Sequence, residues 1–174
     1  MIYVCSLLEM AEHVRALGPS HLVSLVAPIE QPPTPPGIAA GCHLRLEIND
    51  ISQPLDGAIL PEREHVASLV DFVRAWRHDD APILVHCVAG ISRSMAAALI
   101  ALVVKADGRE AEAAHRLRAA APHALPNGRM IELADDLLGC EGRLMSAREA
   151  MGAAQLALHG PLVRLPLLES PAAR

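Results

Sequence analysis

Short apolar runs alternate with segments of helical periodicity along most of the chain. Three runs near the N-terminus have the length and apolar content of β-strands, at Ile2–Cys5, His21–Ala27 and His43–Ile48. A fourth run, Pro82–Val85, has no polar side chain, which is typical of the buried centre of a parallel sheet. Between the third and fourth runs, apolar residues recur every three or four positions over Pro61–Arg77. This spacing predicts an amphipathic helix with Pro61 in its first turn.

The same periodicity predicts five further helices. Ser6–Glu9 has the Ser-x-x-Glu form of a capping box, so a helix should begin there and end at Leu17, before Gly18-Pro19. Met95–Val104 is apolar on every side, and its helix should therefore be buried. The remaining three helices are expected at 109–120, 128–138 and 142–158.

Strands that alternate with helices, followed by helices alone, predict an α/β fold. We expect a small, mostly parallel central sheet with helices on both faces. The proline-rich segment Pro28–Gly41 should be exposed and non-helical, either as a connector or as part of a substrate groove. Residues 1–160 are predicted to form one domain, and residues 161–174, which contain prolines, an extended C-terminal tail.

Composition and charge narrow the range of functions. The chain has 174 residues, of which 52% are hydrophobic and only 2% aromatic, and its formal net charge is -5. So few aromatic side chains and no positive field argue against a nucleic-acid partner. The longest apolar stretch is about half of a bilayer span and no signal peptide is recognisable, so we expect a cytoplasmic protein without a membrane partner. The four cysteines are widely spaced, which favours reduced thiols over disulfides or a metal site.

The segment ILVHCVAGISRS, residues 83–94, combines a cysteine, a glycine and an arginine between a buried strand and an apolar helix. Ligands of open α/β sheets bind at the carboxyl ends of strands, where this loop is placed. Backbone N–H groups can curl into an anion-binding nest there if Gly90 adopts a conformation that a Cβ would forbid. The helix N-terminus favours binding of phosphate, and so does the guanidinium of Arg93, which can donate two parallel hydrogen bonds to phosphate oxygens. They also favour the thiolate form of Cys87, so the pattern indicates phosphoryl transfer through a cysteinyl-phosphate.

The pattern His-Cys-x5-Arg-Ser resembles the signature of the cysteine-based protein tyrosine phosphatases, and its Gly and first Ser look most like the dual-specificity branch. This resemblance implies a protein-tyrosine-phosphatase-like fold without a cofactor or a metal. It also implies that Cys87 is the nucleophile, that Arg93 binds phosphate and that the Ser94 hydroxyl eases release of the thiolate. His86 would hydrogen-bond locally and help to set the ionisation of Cys87. The implied phosphate-binding residues are His86, Cys87, Val88, Ala89, Gly90, Ile91, Ser92 and Arg93.

The resemblance further implies a general acid, an aspartate on a loop upstream of the nucleophile. Asp50 follows the third strand directly and Asp56 lies farther along the same loop. A residue at a strand end is held more firmly, which favours Asp50, with Asp56 as the alternative. Asn127 follows Pro126 where dual-specificity enzymes often have Pro-Asn, and it either supports the phosphate loop or caps the next helix. Of the other thiols, Cys5 is the first choice as disulfide partner of an oxidised Cys87.

Three functions fit these residues. The first is a phosphatase acting on phosphotyrosine, and on phosphoserine or phosphothreonine, in proteins. The second is the same chemistry on a small phosphomonoester such as an inositol phosphate, which the apolar loop residues Val88, Ala89 and Ile91 disfavour because they add no cationic donors. The third is a catalytically silent phosphate-binding module, which the presence of both Cys87 and Arg93 disfavours. Free phosphate or a similar oxyanion should bind in the loop in every case.

Overall fold

A five-stranded sheet forms the centre of the molecule in the computed structural model, which describes residues 1–77, 81–106 and 108–168. The strands lie in the order β3-β2-β4-β1-β5, and all neighbours pair in parallel except β1 and β5. In chain order the elements are β1 (Ile2–Ser6), α1 (Leu7–Leu17), β2 (His21–Val26), β3 (His43–Glu47), α2 (Arg63–Ala75), β4 (Ile83–Cys87), α3 (Arg93–Ala106), α4 (Glu110–Ala120), α5 (Gly128–Leu138), α6 (Arg143–Ala150) and β5 (Val163–Leu165).

Helices cover both faces of the sheet, which confirms the predicted α/β architecture. On one face α1 packs over β1 and β4 in a small core that includes Cys5, Met10 and Leu84. On the other face α3 lies against β1 and β4, and α2, α4, α5 and α6 pack around it in the main core. Because side chains alternate across a strand, β4 directs Leu84 toward α1 and both Val85 and Cys87 toward α3. Nearly every residue of α3 is buried, as its all-round apolar sequence predicts.

Two predicted helix boundaries and one predicted cap are wrong, whereas the predicted bounds of α1 are confirmed. Pro61 lies outside α2, because Glu62 has extended backbone and caps the helix in a reciprocal box with His65. Ser6 is the N-cap residue of α1, but its hydroxyl donates to the Glu9 carboxylate at 3.0 Å and accepts no capping bond from the backbone of α1. The last helix ends at Ala150 instead of 158, because Gly152 turns the chain with a φ of 68°.

The segment after α6 returns to the sheet. Val163–Leu165, within the stretch that the sequence separates as a tail, pairs with Ile2–Val4 as the antiparallel edge strand β5. The prediction for residues 169–174 lies outside the described residues. The division into a domain and a tail stays a prediction.

Candidate active site

The cysteine of the predicted signature is the last residue of the central strand. Cys87 ends β4, residues 88–92 form a loop, and Arg93 begins α3. Only 1% of Cys87 is exposed, so the thiol lies at the bottom of the loop and not on its rim. This is the carboxyl end of a parallel sheet, where α/β folds bind their ligands.

The loop carbonyl groups are engaged by other segments. Four of them accept backbone hydrogen bonds: Val88 O from Leu7 N (3.2 Å), Ala89 O from Gly160 N (2.8 Å), Ile91 O from Leu125 N (2.9 Å) and Ser92 O from Asn127 N (3.4 Å). A trans peptide directs its N–H away from its C=O, so the amide that follows each of these carbonyls points into the loop. Gly90 N shows this directly, because it donates to Cys87 Sγ at 3.3 Å. Such a ring of N–H groups is an anion-binding nest.

Gly90 is required at its position for two reasons. Its φ is 72°, in the left-handed region that favours glycine. A Cβ added there would also lie 3.0 Å from both the carbonyl carbon and the oxygen of Cys5, at the end of the neighbouring strand β1. The glycine therefore lets the loop lie directly against β1.

A hydroxyl and a backbone N–H face the Cys87 sulfur. Ser94 Oγ lies 3.1 Å from Sγ, and Gly90 N is the second contact, at 3.3 Å. Ser94 is in the first turn of α3, whose positive N-terminal dipole also points at the thiol. This arrangement stabilises negative charge on the sulfur, which a nucleophile and a leaving group both need.

One nitrogen of the Arg93 guanidinium group is hydrogen-bonded to the backbone, and a second nitrogen can donate to a ligand. The side chain is buried, and Nη1 donates to the carbonyl of Ile48 at 2.7 Å. Nε is buried and has no hydrogen-bond partner within the described part of the chain, although it lies 3.8 Å from Asp50 Oδ2. A buried donor without a partner is costly, so this nitrogen is suited to a ligand oxygen.

Asp50 lies at the rim of the loop. Its Oδ1 accepts hydrogen bonds from Ser92 Oγ at 2.7 Å and from Asn127 Nδ2 at 2.9 Å. Asn127 also caps α5, because its Oδ1 accepts from Met130 N at 3.1 Å. The Asn127 side chain thus caps α5 and contacts Asp50, and its support of the phosphate loop stays a prediction. Asp56 is exposed in a turn farther along the loop.

His86 lies on the opposite face of β4 from the thiol. Its Nε2 is 2.6 Å from Ser24 Oγ, and burial lowers the pKa of His86 to about 4. His86 is therefore neutral at physiological pH. Sequence reasoning missed Ser24 as its partner. The available signal was a hydroxyl within the otherwise apolar run Leu22–Val26, since a buried hydroxyl needs a hydrogen-bond partner.

The structure corrects the expectation for Cys5. Strand register pairs Cys87 with Ser6, and the Cys5 side chain lies in the core beneath α1 while Cys87 faces α3. Burial, with a contribution from Glu9, raises the pKa of the Cys5 thiol to about 12. Cys5 is thus placed on the wrong side of the sheet and is too weakly acidic to pair readily with Cys87.

The described residues outside the loop contain neither a metal-binding cluster nor a membrane-spanning helix. In residues 1–77, 81–106 and 108–168, no group of three or more His, Cys, Asp or Glu side chains is arranged to hold a metal ion. None of the helices within these same ranges is long and apolar enough to cross a membrane.

Comparison with known proteins gives a partial match to one family model and a shared fold. The sequence model of the protein-tyrosine phosphatase family matches residues 56–116, which include the whole loop from Cys87 to Arg93. A search of curated proteins finds no match. The fold is similar to that of DUSP15, with 19% identity and a TM-score of 0.63 over 86% of this chain and 89% of that chain. It is also similar to human DUSP28, with 22% identity and a TM-score of 0.59 over 86% of this chain and 92% of that chain.

A third solved structure of the same fold is PTPMT1 in complex with PI(5)P, with 15% identity and a TM-score of 0.61 over 84% of this chain and 94% of that chain. The family-model match supports the resemblance to the cysteine-based family that the sequence motif predicts, and the solved structures show that the chain shares its fold with dual-specificity phosphatases.

Proposed function

We propose, from the premise that this chain is a dual-specificity-like relative of the cysteine-based protein tyrosine phosphatases, that it hydrolyses phosphate monoesters with Cys87 as nucleophile. The observation that supports this most strongly is the loop itself. Its carbonyl groups are bonded outward, its amides point inward, and the Cys87 sulfur lies at the bottom with Gly90 N and Ser94 Oγ beside it. A phosphate seated in this nest would have its phosphorus directly above a thiol.

In the first step the Cys87 thiolate forms a bond from Sγ to phosphorus, and the bond between phosphorus and the leaving oxygen breaks. The equatorial oxygens gain charge in the transition state, where the inward amides and Arg93 Nε stabilise it. The leaving oxygen takes a proton from Asp50. Because Asp50 Oδ1 already accepts two hydrogen bonds, the proton is carried by Oδ2, on the side of Arg93.

The second step returns the enzyme to its starting state. A water molecule attacks the cysteinyl-phosphate, Asp50 as carboxylate accepts a proton from that water, and the S–P bond breaks to release phosphate. The electron pair of that bond stays on sulfur, where the Ser94 hydroxyl can donate to the thiolate. All four cysteines are unpaired in the structure, and the mechanism needs a free thiol, so we place the protein in the reducing cytoplasm.

We propose phosphotyrosine, and phosphoserine or phosphothreonine, in proteins as the substrates. The side chains of Val88, Ala89 and Ile91 provide no charge, so the loop has one phosphate-sized set of donors around Arg93 and none for a second phosphate. Multiply phosphorylated inositols therefore fit less well. The fold shared with PTPMT1, which is seen with PI(5)P, makes a singly phosphorylated lipid headgroup the alternative to test.

The experiment compares turnover of p-nitrophenyl phosphate from about pH 5 to 8 by wild type, Cys87→Ser, Asp50→Asn and the matched control Asp56→Asn. We expect Cys87→Ser to be inactive and Asp50→Asn to lose roughly 10²–10⁴-fold, the usual contribution of a general acid, together with the basic limb of its pH profile. Asp56→Asn should match wild type. An active Cys87→Ser protein would refute the nucleophile, and equal losses in the two aspartate variants would refute the assignment of the acid.

A second panel distinguishes the substrates at equal concentration: a phosphotyrosine peptide, a phosphothreonine peptide and PI(5)P in vesicles. We expect the phosphotyrosine peptide to give the highest kcat/KM. Turnover of PI(5)P alone would replace the protein substrate with a lipid and leave the chemistry intact.

A further inference from the structure

Seven large aliphatic side chains are exposed among the residues that the structure describes, and all of them lie at one edge of the sheet. Leu8 follows β1 and Ile29 follows β2, while Leu55 and Ile59 both follow β3, so these four lie beyond the carboxyl ends of parallel strands. The phosphate loop follows β4 at the same edge. Single exposed aliphatic residues are common on protein surfaces, but a group of them at one edge indicates a site that contacts another molecule.

The other three exposed side chains lie in connections that reach the same edge. Leu125 lies between α4 and α5, and its own N–H donates to Ile91 O in the phosphate loop at 2.9 Å. Leu156 and Leu158 lie between α6 and β5, in the segment whose Gly160 N–H donates to another carbonyl of the phosphate loop at 2.8 Å. In the part of the chain that the structure describes, the opposite edge of the sheet has no exposed large aliphatic side chain.

Four of the seven side chains are adjacent to the phosphate site in the chain or through a backbone hydrogen bond. We call them the collar: Leu8, Leu55, Leu125 and Leu158. Leu8 follows the residue whose N–H donates to Val88 O of the phosphate loop at 3.2 Å. Leu55 lies in the same connection between β3 and α2 as Asp50. The exposed fraction of the collar side chains ranges from 53% for Leu125 to 89% for Leu158, so most of their apolar surface is open to a partner.

Acidic residues accompany the collar. Glu9 directly follows Leu8 in the chain, and Asp56 directly follows Leu55. Asp50 lies at the rim of the phosphate loop, and the whole chain has a formal net charge of -5. Negative groups beside exposed leucines repel acidic side chains and anionic lipid headgroups. Charge complementarity therefore favours a partner that is apolar and carries neutral or basic groups, and it disfavours an anionic bilayer.

The width of this edge fits a short peptide. In the order β3-β2-β4-β1, three strand spacings separate the strand before Leu55 from the strand before Leu8. Neighbouring strands lie about 4.8 Å apart, so this part of the edge is about 14 Å wide. An extended peptide covers that width with about four residues. Because Cys87 ends β4, between these two strands, the two residues on either side of a phosphorylated residue are the ones that reach the collar.

We propose that the collar selects protein substrates in which large aliphatic or aromatic side chains, and not acidic ones, flank the phosphorylated residue within two positions on either side. This inference rests on the proposed function, since it names the substrate class of the same site. The phosphate loop contacts the phosphoryl group alone, whereas the collar contacts the residues around it. Selection follows because each leucine of the collar is stabilised by the apolar surface that the partner removes from water.

The test uses three phosphotyrosine peptides that differ only in the two residues on each side of the phosphotyrosine, which are leucine, serine or glutamate. The readout is the ratio of kcat/KM for the leucine peptide to kcat/KM for the serine peptide, measured within each protein variant. A defect in folding or in the phosphate loop lowers both values and leaves their ratio unchanged, so the ratio reports the collar alone. In wild type we expect a ratio of roughly 10, with the glutamate peptide hydrolysed most slowly.

Variants of the collar should reduce this preference. Leu125→Ser and Leu158→Ser should each lower the ratio by roughly 3-fold, and the double variant should abolish the preference. Ile29→Ser is the matched control and should keep the wild-type ratio. Ile29 is 95% exposed at the same edge, but its segment is bonded to the carbonyl groups of β2 and β3 through Gln31. Leu125→Arg should raise kcat/KM for the glutamate peptide, a gain that misfolding cannot produce.

Equal kcat/KM for the leucine and serine peptides in wild type would overturn the proposal, as would a preference that survives in the double variant. If wild type hydrolyses neither the peptides nor p-nitrophenyl phosphate, the proposed function fails, and fluorescence anisotropy of the same labelled peptides then tests the collar. Tighter binding of the leucine peptide would support the collar, and equal binding would refute it. Vesicles of phosphatidylcholine are the last probe. Sedimentation with these vesicles that is lost in the double variant, together with equal kcat/KM for the peptides, would assign the collar to a lipid surface and overturn the proposal.

Discussion

The segment that follows α6 supports the phosphate loop from outside, and Gly160 is its point of contact. Gly160 N donates to Ala89 O at 2.8 Å. A Cβ added at Gly160 would lie 2.7 Å from Gly90 O and 2.5 Å from His123 Nε2, both closer than real Cβ contacts allow. The Gly160 backbone is not in the left-handed region, so Gly160→Ala introduces a steric conflict and no backbone strain.

The loss of stability and of activity in Gly160→Ala depends on which groups must move to make room for the added Cβ. The neighbouring histidine ring can rotate, but Gly90 O belongs to the loop backbone and has to shift by about half an ångström. Overpacking of this kind costs about 1–3 kcal/mol, and a chain of this length loses about 2–4 °C in Tm per kcal/mol. Gly90 N, which faces Cys87 Sγ, shifts with the carbonyl. Since a displacement of about 1 Å can cost 10²-fold in rate, we expect kcat to fall roughly 10-fold.

Gly41→Ala is the matched control, because a Cβ at Gly41 meets nothing within 4 Å. This substitution should leave kcat unchanged and leave the free energy of unfolding equal or higher by up to about 1 kcal/mol. Both variants are assayed with p-nitrophenyl phosphate and by thermal unfolding. A Gly160→Ala protein with wild-type kcat would refute the argument that this segment positions the loop, even if its Tm were lower.

Three further predictions concern the acid, a buried histidine and the thiols. Asn127→Ala removes the cap of α5 and a hydrogen-bond donor to Asp50, and it should lower the free energy of unfolding in urea by about 1 kcal/mol. Hydrolysis of phenyl phosphate, whose leaving group needs the acid more, should slow more than hydrolysis of p-nitrophenyl phosphate. Equal slowing of the two substrates would contradict this prediction. The pKa of His86 is lowered to about 4, so the neutral ring contributes fully to the free energy of unfolding above about pH 6.5. This contribution is lost as the pH falls toward 4. We expect this contribution to be about 3 kcal/mol. The measurement compares the free energy of unfolding in urea of wild type and His86→Gln at the two pH values. A difference between the two proteins that does not change with pH would refute the prediction. Peroxide-treated protein should yield no Cys5–Cys87 peptide by mass mapping, whereas finding one would contradict the strand register.

The fold was predictable because its signals are local. Strands β1 to β4 are short runs rich in apolar residues and each helix has its own periodicity, so the order of these elements follows directly from the sequence, whereas β5 lies in the stretch predicted as a tail. The errors lie where the deciding residue is ambiguous from sequence alone. Gly152 ends α6, yet a glycine within an otherwise periodic segment is compatible with a continuing helix. From the sequence alone, Pro61 could lie in the first turn of the helix or directly before its N-cap residue.

The residues of the candidate site also differ in how far they could be predicted from the sequence. Cys87, Gly90 and Arg93 lie within one short segment, so their spacing alone indicates a phosphate loop. The supporting contacts join residues far apart in sequence. Ser24 reaches His86 only through the register of β2 with β4, and Gly160 reaches the loop only because the chain returns after α6. Neither arrangement follows from composition, periodicity or spacing.

Transfer of phosphate to Cys87 can be detected by rapid-quench labelling. Wild-type protein is mixed with p-nitrophenyl phosphate, quenched in acid within one turnover, digested and analysed by mass spectrometry. We expect a phosphoryl group on the peptide that contains Cys87, and none in Cys87→Ser. Release of p-nitrophenol with no phosphorylated Cys87 peptide, and at an undiminished rate in Cys87→Ser, would contradict it.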